Sequence, residues 1–321
     1  MELLEIKNMA DQVKENVQRV IVGKDETIDQ LLVALISSGH VLLEDVPGTG
    51  KTLLAKSLAE SLSCSSKRIQ FTPDLLPSDV TGIYFYSQKE SEFQFRPGPV
   101  FSNILLADEI NRATPRTQSS LLECMEERQT TIEGETHTLE SPFMVIATQN
   151  PLESQGTFPL PEAQLDRFML KISMNYPSKA EGIDILKRFK ENNPIDNIEA
   201  VVDKNVILAA QDMYSQVYVS DDLFEYIMDI VEKTRAHDKI LFGVSPRGSQ
   251  SLLKAVQVYA LLQGRDYVLP DDVKAMANPV LGHRLVLSQA LRSKENRSEA
   301  ILDDVISQVP VPQEELSTHK G

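Results

Sequence analysis

A chain of 321 residues, 41% of them hydrophobic, can fill a sizeable core and exceeds what one core usually serves, so two domains are expected. Its 32 basic residues against 47 acidic ones leave a formal net charge of −15, which argues against general nucleic-acid binding. No stretch approaches the length of an apolar membrane span and the N-terminus carries no short apolar leader, so a cytoplasmic location is expected.

Apolar residues recur at helical spacing over Asp11 to Val20 and Asp25 to Ser37, with a break at Gly23. A strand at His40 to Glu44 then runs into EDVPGTGKT, residues Glu44 to Thr52. That string describes a phosphate-binding loop. Gly48 and Gly50 let backbone N–H groups turn inward around phosphate oxygens, and the following helix presents its N-terminus to the same anion. Lys51 supplies a point charge for the β- and γ-phosphates, and the Thr52 hydroxyl is placed to ligate Mg²⁺. The nucleotide-contacting stretch is thus Pro47, Gly48, Thr49, Gly50, Lys51, Thr52 and Leu53. Asp45 stands where such loops usually carry their first glycine, and its carboxylate has to point away from the phosphates or repel them.

A helix is expected over Lys51 to Leu62, a strand over Arg68 to Phe71, and a hairpin between Thr81 and Pro97, where Ile83, Phe85, Phe93 and Phe95 alternate around the polar turn Lys89 to Ser91. The apolar run Ile104 to Ala107 ends in Asp108 and Glu109. Asp108 would complete the protein's contacts to Mg²⁺, leaving Glu109 to polarise the attacking water. Thr114 then caps a helix with Pro115 in its first turn and Leu121, Leu122 and Met125 on its apolar face. A second hairpin pairs Thr130 to Ile132 with Thr136 to Leu139 around Gly134. The strand Phe143 to Thr148 ends in Gln149-Asn150-Pro151 at the sheet edge where α/β folds bind ligands, and the strand Phe168 to Ile172 closes a first domain, residues 1–177.

From Ser178 the pattern is helical alone: Glu181 to Phe189, Asn205 to Gln216, Asp221 to Thr234, Arg247 to Leu262, Asp271 to Met276 and Ser298 to Ser307. It predicts an all-α second domain, residues 178–321, ending in a flexible polar tail after Pro310 and Pro312. Cys64 and Cys124 match no metal spacing and read as reduced, buried thiols. Nothing else in the chain competes with the nucleotide site for chemistry.

Six segments, FTPDLLPSDVTG (Phe71 to Gly82), FRPGPVF (Phe95 to Phe101), LADEINRATPRTQ (Leu106 to Gln118), ATQNP (Ala147 to Pro151), LPEAQLDRF (Leu160 to Phe168) and SPRG (Ser245 to Gly248), give the chain its resemblance to AAA+ ATPases, and within them to the MoxR family. The resemblance implies an α/β P-loop core, with a mainly parallel sheet and two inserted β-hairpins, followed by an all-α lid. It implies further roles too. Asn150 resembles sensor 1, against a plain turn-capping reading; Arg167 resembles an arginine finger in trans, against an ion-pair reading and with Arg112 and Arg116 as rivals. Arg247 resembles sensor 2, against a helix-surface arginine, and Val22 with Gly23 resembles the adenine-contacting segment, against a simple turn. Members of the family generally form homo-oligomeric rings, here expected as a hexamer. They use ATP and Mg²⁺ in chaperone-like remodelling, maturation or metal-cofactor insertion of protein clients, often with a von Willebrand factor A domain partner. The competing readings are a magnesium-chelatase-like motor subunit, a nucleotide-gated scaffold with little turnover and, disfavoured by the acidic balance, a DNA-remodelling ATPase.

Overall fold

Short strands separated by helices force parallel pairing, because the chain must cross back over the sheet before each new strand starts. The computed structural model bears this out; it describes residues 2–44, 48–150, 156–191, 194–288 and 297–312. Pro151 and the tail beyond Pro312 lie outside them.

The first unit, Met1–Tyr214, opens with helices α1 (Leu3–Gln18) and α2 (Asp25–Ile36). α1 starts well before Asp11, since Ile6 and Met9 continue the buried stripe of Val13 and Val17. There follow β1 (Val41–Glu44), α3 (Lys51–Ser61), β2 (Ser66–Gln70), the short α4 (Pro77–Thr81), β3 (Gly82–Ser87), β4 (Glu92–Pro97) and β5 (Ile104–Asp108). Next come α5 (Pro115–Glu127), β6 (Gln129–Ile132), β7 (Glu135–Thr138), β8 (Met144–Gln149), the short α6 (Glu162–Leu165), β9 (Leu170–Ser173), α7 (Lys179–Glu191) and α8 (Lys204–Met213).

β2, β5, β8, β1 and β9 form one five-stranded sheet in that order, and every pairing is parallel. The central strands β5, β8 and β1 read as nearly continuous apolar runs because both faces are covered. β2, at an edge, buries Ile69 alone and leaves its other side chains exposed. Leu42, Leu105, Val145, Ala147, Phe71, Leu121 and Phe168 pack into one hydrophobic core.

Both expected hairpins are present as antiparallel pairs, β3 with β4 and β6 with β7. An aromatic cluster joins them. The Phe95 ring stacks on His137 with centroids 4.3 Å apart and planes 15° apart, Tyr84 Oη lies 3.2 Å from His137 Nε2, and Tyr84 also donates to Glu135. Thr114 is the N-cap of α5, but its hydroxyl meets Thr117 Oγ1 at 3.3 Å rather than a helix N–H.

The second unit, Ser215–Gly321, contains α9 (Asp221–Ala236), β10 (Ile240–Phe242), α10 (Pro246–Leu262), α11 (Pro270–Leu281), β11 (Val286–Leu287) and α12 (Arg297–Ser307). It is helical but not all-α: β10 and β11 pair antiparallel. Strands of two and three residues carry no alternation to read. The units divide after Tyr214, later than the change of pattern at Ser178, because α8 packs on α1 and α2 and Gln211 Nε2 donates to the Leu35 carbonyl at 2.7 Å. Among the described residues, no helix is long and apolar enough to cross a membrane.

Candidate active site

The carboxyl ends of β5, β8 and β1 lie side by side, because β8 pairs with both neighbours. β1 ends at Glu44, whose carboxylate accepts 2.6 Å from Gln149 Nε2 and pairs with Lys171 Nζ at 2.5 Å. Both partners offset a charge that would otherwise repel an anion at this edge. Asp45 and Pro47, both singled out in the sequence, lie outside the described residues.

Gly48 and Gly50 have φ of 86° and 90°, and a Cβ built on either would meet no atom. Glycine is needed at both for the left-handed backbone rather than for room. Gly50 is the N-cap of α3, so Lys51, Thr52 and Leu53 form the first turn, whose N–H groups have no partner within the helix. Thr52 is exposed, while Thr49, Lys51 and Leu53 are half-buried.

Asp108 is the last residue of β5, and Glu109 follows it in the left-handed region at φ 56°, ψ 49°. A non-glycine residue there carries about 1–2 kcal/mol of strain, which turns the Glu109 side chain out of the strand's alternation. Thr148 on β8 ties the two acids together: its hydroxyl donates to Asp108 Oδ1 at 2.6 Å and accepts from the Glu109 N–H at 2.8 Å. From the other side, Arg68 Nη2 meets Asp108 Oδ2 at 2.6 Å and donates to Gln70 Oε1 at 2.7 Å. Gln70 Nε2 in turn donates to Glu109 Oε2 at 2.8 Å, an oxygen that Arg112 Nε also approaches to 2.9 Å.

Asn150, one residue past β8, is buried at the same edge. Arg167 follows α6; it donates to the Leu122 carbonyl at 3.0 Å and pairs with Glu126 on α5. Arg116 is exposed in the first turn of α5. Val22 and Gly23 form the turn between α1 and α2, with Gly23 at φ 68°; the Glu181 carboxylate of α7 lies where a Cβ on Gly23 would stand, 2.0 Å from it. In the second unit, Arg247 is exposed in the first turn of α10, where the Ser245 hydroxyl accepts from the Gly248 N–H at 3.1 Å.

Sequence reading missed Arg68, Gln70, Thr148 and Lys171. Thr148 sits inside the ATQNP string, and the two-residue spacing of Arg68 and Gln70 puts both on one face of β2. What the sequence could not supply was the strand order that makes β2 and β8 the neighbours of β5.

A family model for the ATPase family associated with various cellular activities (AAA) matches residues 40–170, and one for the AAA lid domain matches residues 232–305. Chaperone MoxR1 of Mycobacterium tuberculosis is 41% identical over 95% of this chain and 83% of its own length. The chain belongs to the MoxR family of AAA ATPases. Protein YeaC of Bacillus subtilis is similar to this MoxR-family chain at 51% identity over 93% of each. A crystal structure of a Cytophaga hutchinsonii protein superposes with a TM-score of 0.91 at 39% identity, covering 97% of both chains. As an AAA ATPase the MoxR-family chain binds ATP, and proteins of this kind are typically oligomeric.

Proposed function

We propose that the chain hydrolyses ATP with Mg²⁺ at the edge formed by α3, β5 and β8, and couples turnover in a homo-oligomeric ring, a hexamer, to chaperone-like remodelling of a protein client. The observation that carries the chemistry is the pair Asp108 and Glu109, bridged by Thr148 on the strand between β5 and the phosphate loop's own strand. Gly48 to Leu53 cradle the phosphates through backbone N–H groups, with Pro47 at the loop's start, and Lys51 neutralises the β- and γ-oxygens. Val22 and Gly23 contact the adenine.

The donor set fits Mg²⁺. A hard cation that keeps several waters asks for one or two protein oxygens, and the exposed Thr52 hydroxyl with the Asp108 carboxylate provides them. When bound, Mg²⁺ would neutralise charge building on the β–γ bridge. Glu109 polarises a water, drawing its proton as the oxygen attacks the γ-phosphorus; the bond from that phosphorus to the bridging oxygen breaks and ADP leaves. Asn150 orients the same water. Arg167 neutralises transition-state charge at a neighbouring subunit's site, and Arg247, in the helical lid, senses the γ-phosphate. The name of the MoxR1 relative supports the chaperone-like role, and the net charge of −15 suits protein rather than nucleic-acid clients. A von Willebrand factor A domain partner and metal-cofactor insertion into the client belong to the same proposal.

The test is a pair of variants. Lys51→Ala should lose nucleotide binding in a titration with a fluorescent ATP analogue. Glu109→Gln should bind the analogue and release no phosphate. Wild-type turnover in Glu109→Gln would remove Glu109 from the mechanism. Proteins trapped by Glu109→Gln in the presence of ATP would identify the client.

A further inference from the structure

A carboxylate is fastened over the turn at Val22 and Gly23, and no step of the proposed hydrolysis uses it. Glu181 stands in the first turn of α7, and one of its oxygens is already committed. Oε2 accepts from the Ser178 N–H at 2.6 Å, while the Ser178 hydroxyl accepts from the Glu181 N–H at 3.3 Å. This reciprocal pair closes the start of the helix. The other oxygen, Oε1, lies against Gly23, 2.0 Å from where a Cβ would stand. Among the described residues it accepts no hydrogen bond.

Several contacts fix that placement. Arg188, two turns further along α7, donates to the Gln18 and Arg19 carbonyls at the end of α1 at 2.5 and 2.9 Å. Lys24, next to Gly23, donates to the Asn175 carbonyl just ahead of α7. The helix that carries Glu181 is thus bound to the α1–α2 connection on both sides of Gly23. A side chain at position 23 would have to displace the carboxylate and also adopt a φ of 68°.

The Ser178 N–H and hydroxyl hold the Glu181 carboxyl below the usual carboxylate range, and Lys24 adds to the effect. The group is therefore ionised at neutral pH and offers acceptors only. Adenine carries one N–H donor group, its 6-amino group. We propose that Glu181 is a specificity-determining residue that accepts a hydrogen bond from the 6-amino group of the base through Oε1. A base lying on Val22 and Gly23 then presents its one donor to the oxygen left over from the helix cap. This rests on the reading of Val22 and Gly23 as the adenine contact.

The cap makes the conservative variant informative. In Glu181→Gln the Ser178 N–H still needs an acceptor, so the amide oxygen takes the place of Oε2 and the NH₂ falls where Oε1 was. The helix start is kept, but the base meets a donor in place of an acceptor.

The experiment reads binding, apart from turnover. A ribose-labelled fluorescent ATP analogue is displaced by ATP and by purine riboside triphosphate, which has hydrogen in place of the 6-amino group. Wild type, Glu181→Gln, Glu181→Ala and Val22→Ala are titrated, with a denaturant melt of each. Wild type should prefer ATP by about three- to tenfold, less than a buried hydrogen bond to a charged group gives, because the carboxylate is partly exposed. Glu181→Ala should hold the two nucleotides equally. Glu181→Gln should hold ATP no better than purine riboside triphosphate while melting as wild type does. Val22→Ala should weaken both by one factor and keep the preference. A wild-type preference for ATP in both Glu181 variants overturns the assignment and leaves Glu181 as a helix cap. Wild-type affinity for both nucleotides in Val22→Ala places the base elsewhere, and it is then the reading of the turn that fails.

Discussion

Arg167 is held by Glu126 of its own chain: the guanidinium pairs with that carboxylate and donates to the Leu122 carbonyl, leaving both side chains about one-third exposed. An arginine meant for a neighbouring subunit's phosphate would be kept extended in this way, with its rotamer set before assembly, so that little side-chain entropy remains to be lost. Arg167→Ala should bind ATP normally and lose turnover by about 10³-fold or more. Mixing it with Lys51→Ala, after subunit exchange has been verified, should restore some activity. Activity per subunit that stays constant down to monomer concentrations would instead transfer the role to Arg112, already on Glu109 within one chain.

Thr148 is buried and serves both acids at once. Thr148→Val keeps the shape and removes the hydroxyl, which takes from the Glu109 N–H its Thr148 acceptor and from Asp108 Oδ1 its Thr148 donor. The cost should be about 1–3 kcal/mol of stability, together with a fall in kcat larger than any change in ATP affinity. Denaturant melts and phosphate release measure the two effects. A variant with wild-type kcat would show that the hydroxyl matters for folding alone.

Stability should depend on pH through His40. This residue joins three segments, since the Val145 N–H donates to Nδ1 at 2.9 Å and Nε2–H therefore donates to the Met125 carbonyl at 3.0 Å. Burial, reinforced by the nearby Arg128 guanidinium and opposed by the Met125 bond, lowers its pKa from 6.5 to about 3. The folded protein refuses a proton that the unfolded chain accepts below pH 6.5, so this contribution is fully present above that pH. It is lost as pH falls toward 3, at about 1.4 kcal/mol per unit through most of the window. Denaturant midpoints should drop between pH 6.5 and 5, and His40→Gln should lower stability at pH 7 yet flatten that slope. An equally steep slope in the variant would place the titration elsewhere.

Arg247 tests the lid. With its side chain exposed in the first turn of α10, its loss should leave folding intact and shrink the difference between ATP and ADP affinities. Competition titrations with the two nucleotides decide the matter. Equal weakening of both, or no weakening, marks an ordinary surface arginine.

The phosphate loop, the Asp108–Glu109 pair and both hairpins were legible in the sequence because each is a local pattern: glycines at fixed offsets, an apolar run closed by charge, aromatic alternation around a turn. Arg68, Gln70 and Thr148 were not, because their meaning depends on a strand order in which β2 and β8 flank β5 although long stretches of chain separate them. The left-handed backbone at Glu109 was equally hidden, as glutamate gives no sign of it. β10 and β11 were missed for their shortness, and the reach of the first unit to Tyr214 because helix packing across distant segments leaves no boundary signal in composition.

The ring stack between Phe95 and His137 has a mechanical meaning. A lone two-stranded hairpin is a soft cantilever, marginal in water and free to flex at its root. Here the two hairpins are riveted together at Phe95, Tyr84 and His137, with Phe101 packed edge-on to the Phe95 ring at 5.3 Å. Torque applied at the tip, where Phe93 is 68% exposed, cannot bend one hairpin without shearing that aromatic rivet. β7 is tied back through β6 to α5, the helix that also carries Glu126. The paired hairpins and the anchor of Arg167 are therefore both attached to one helix, α5.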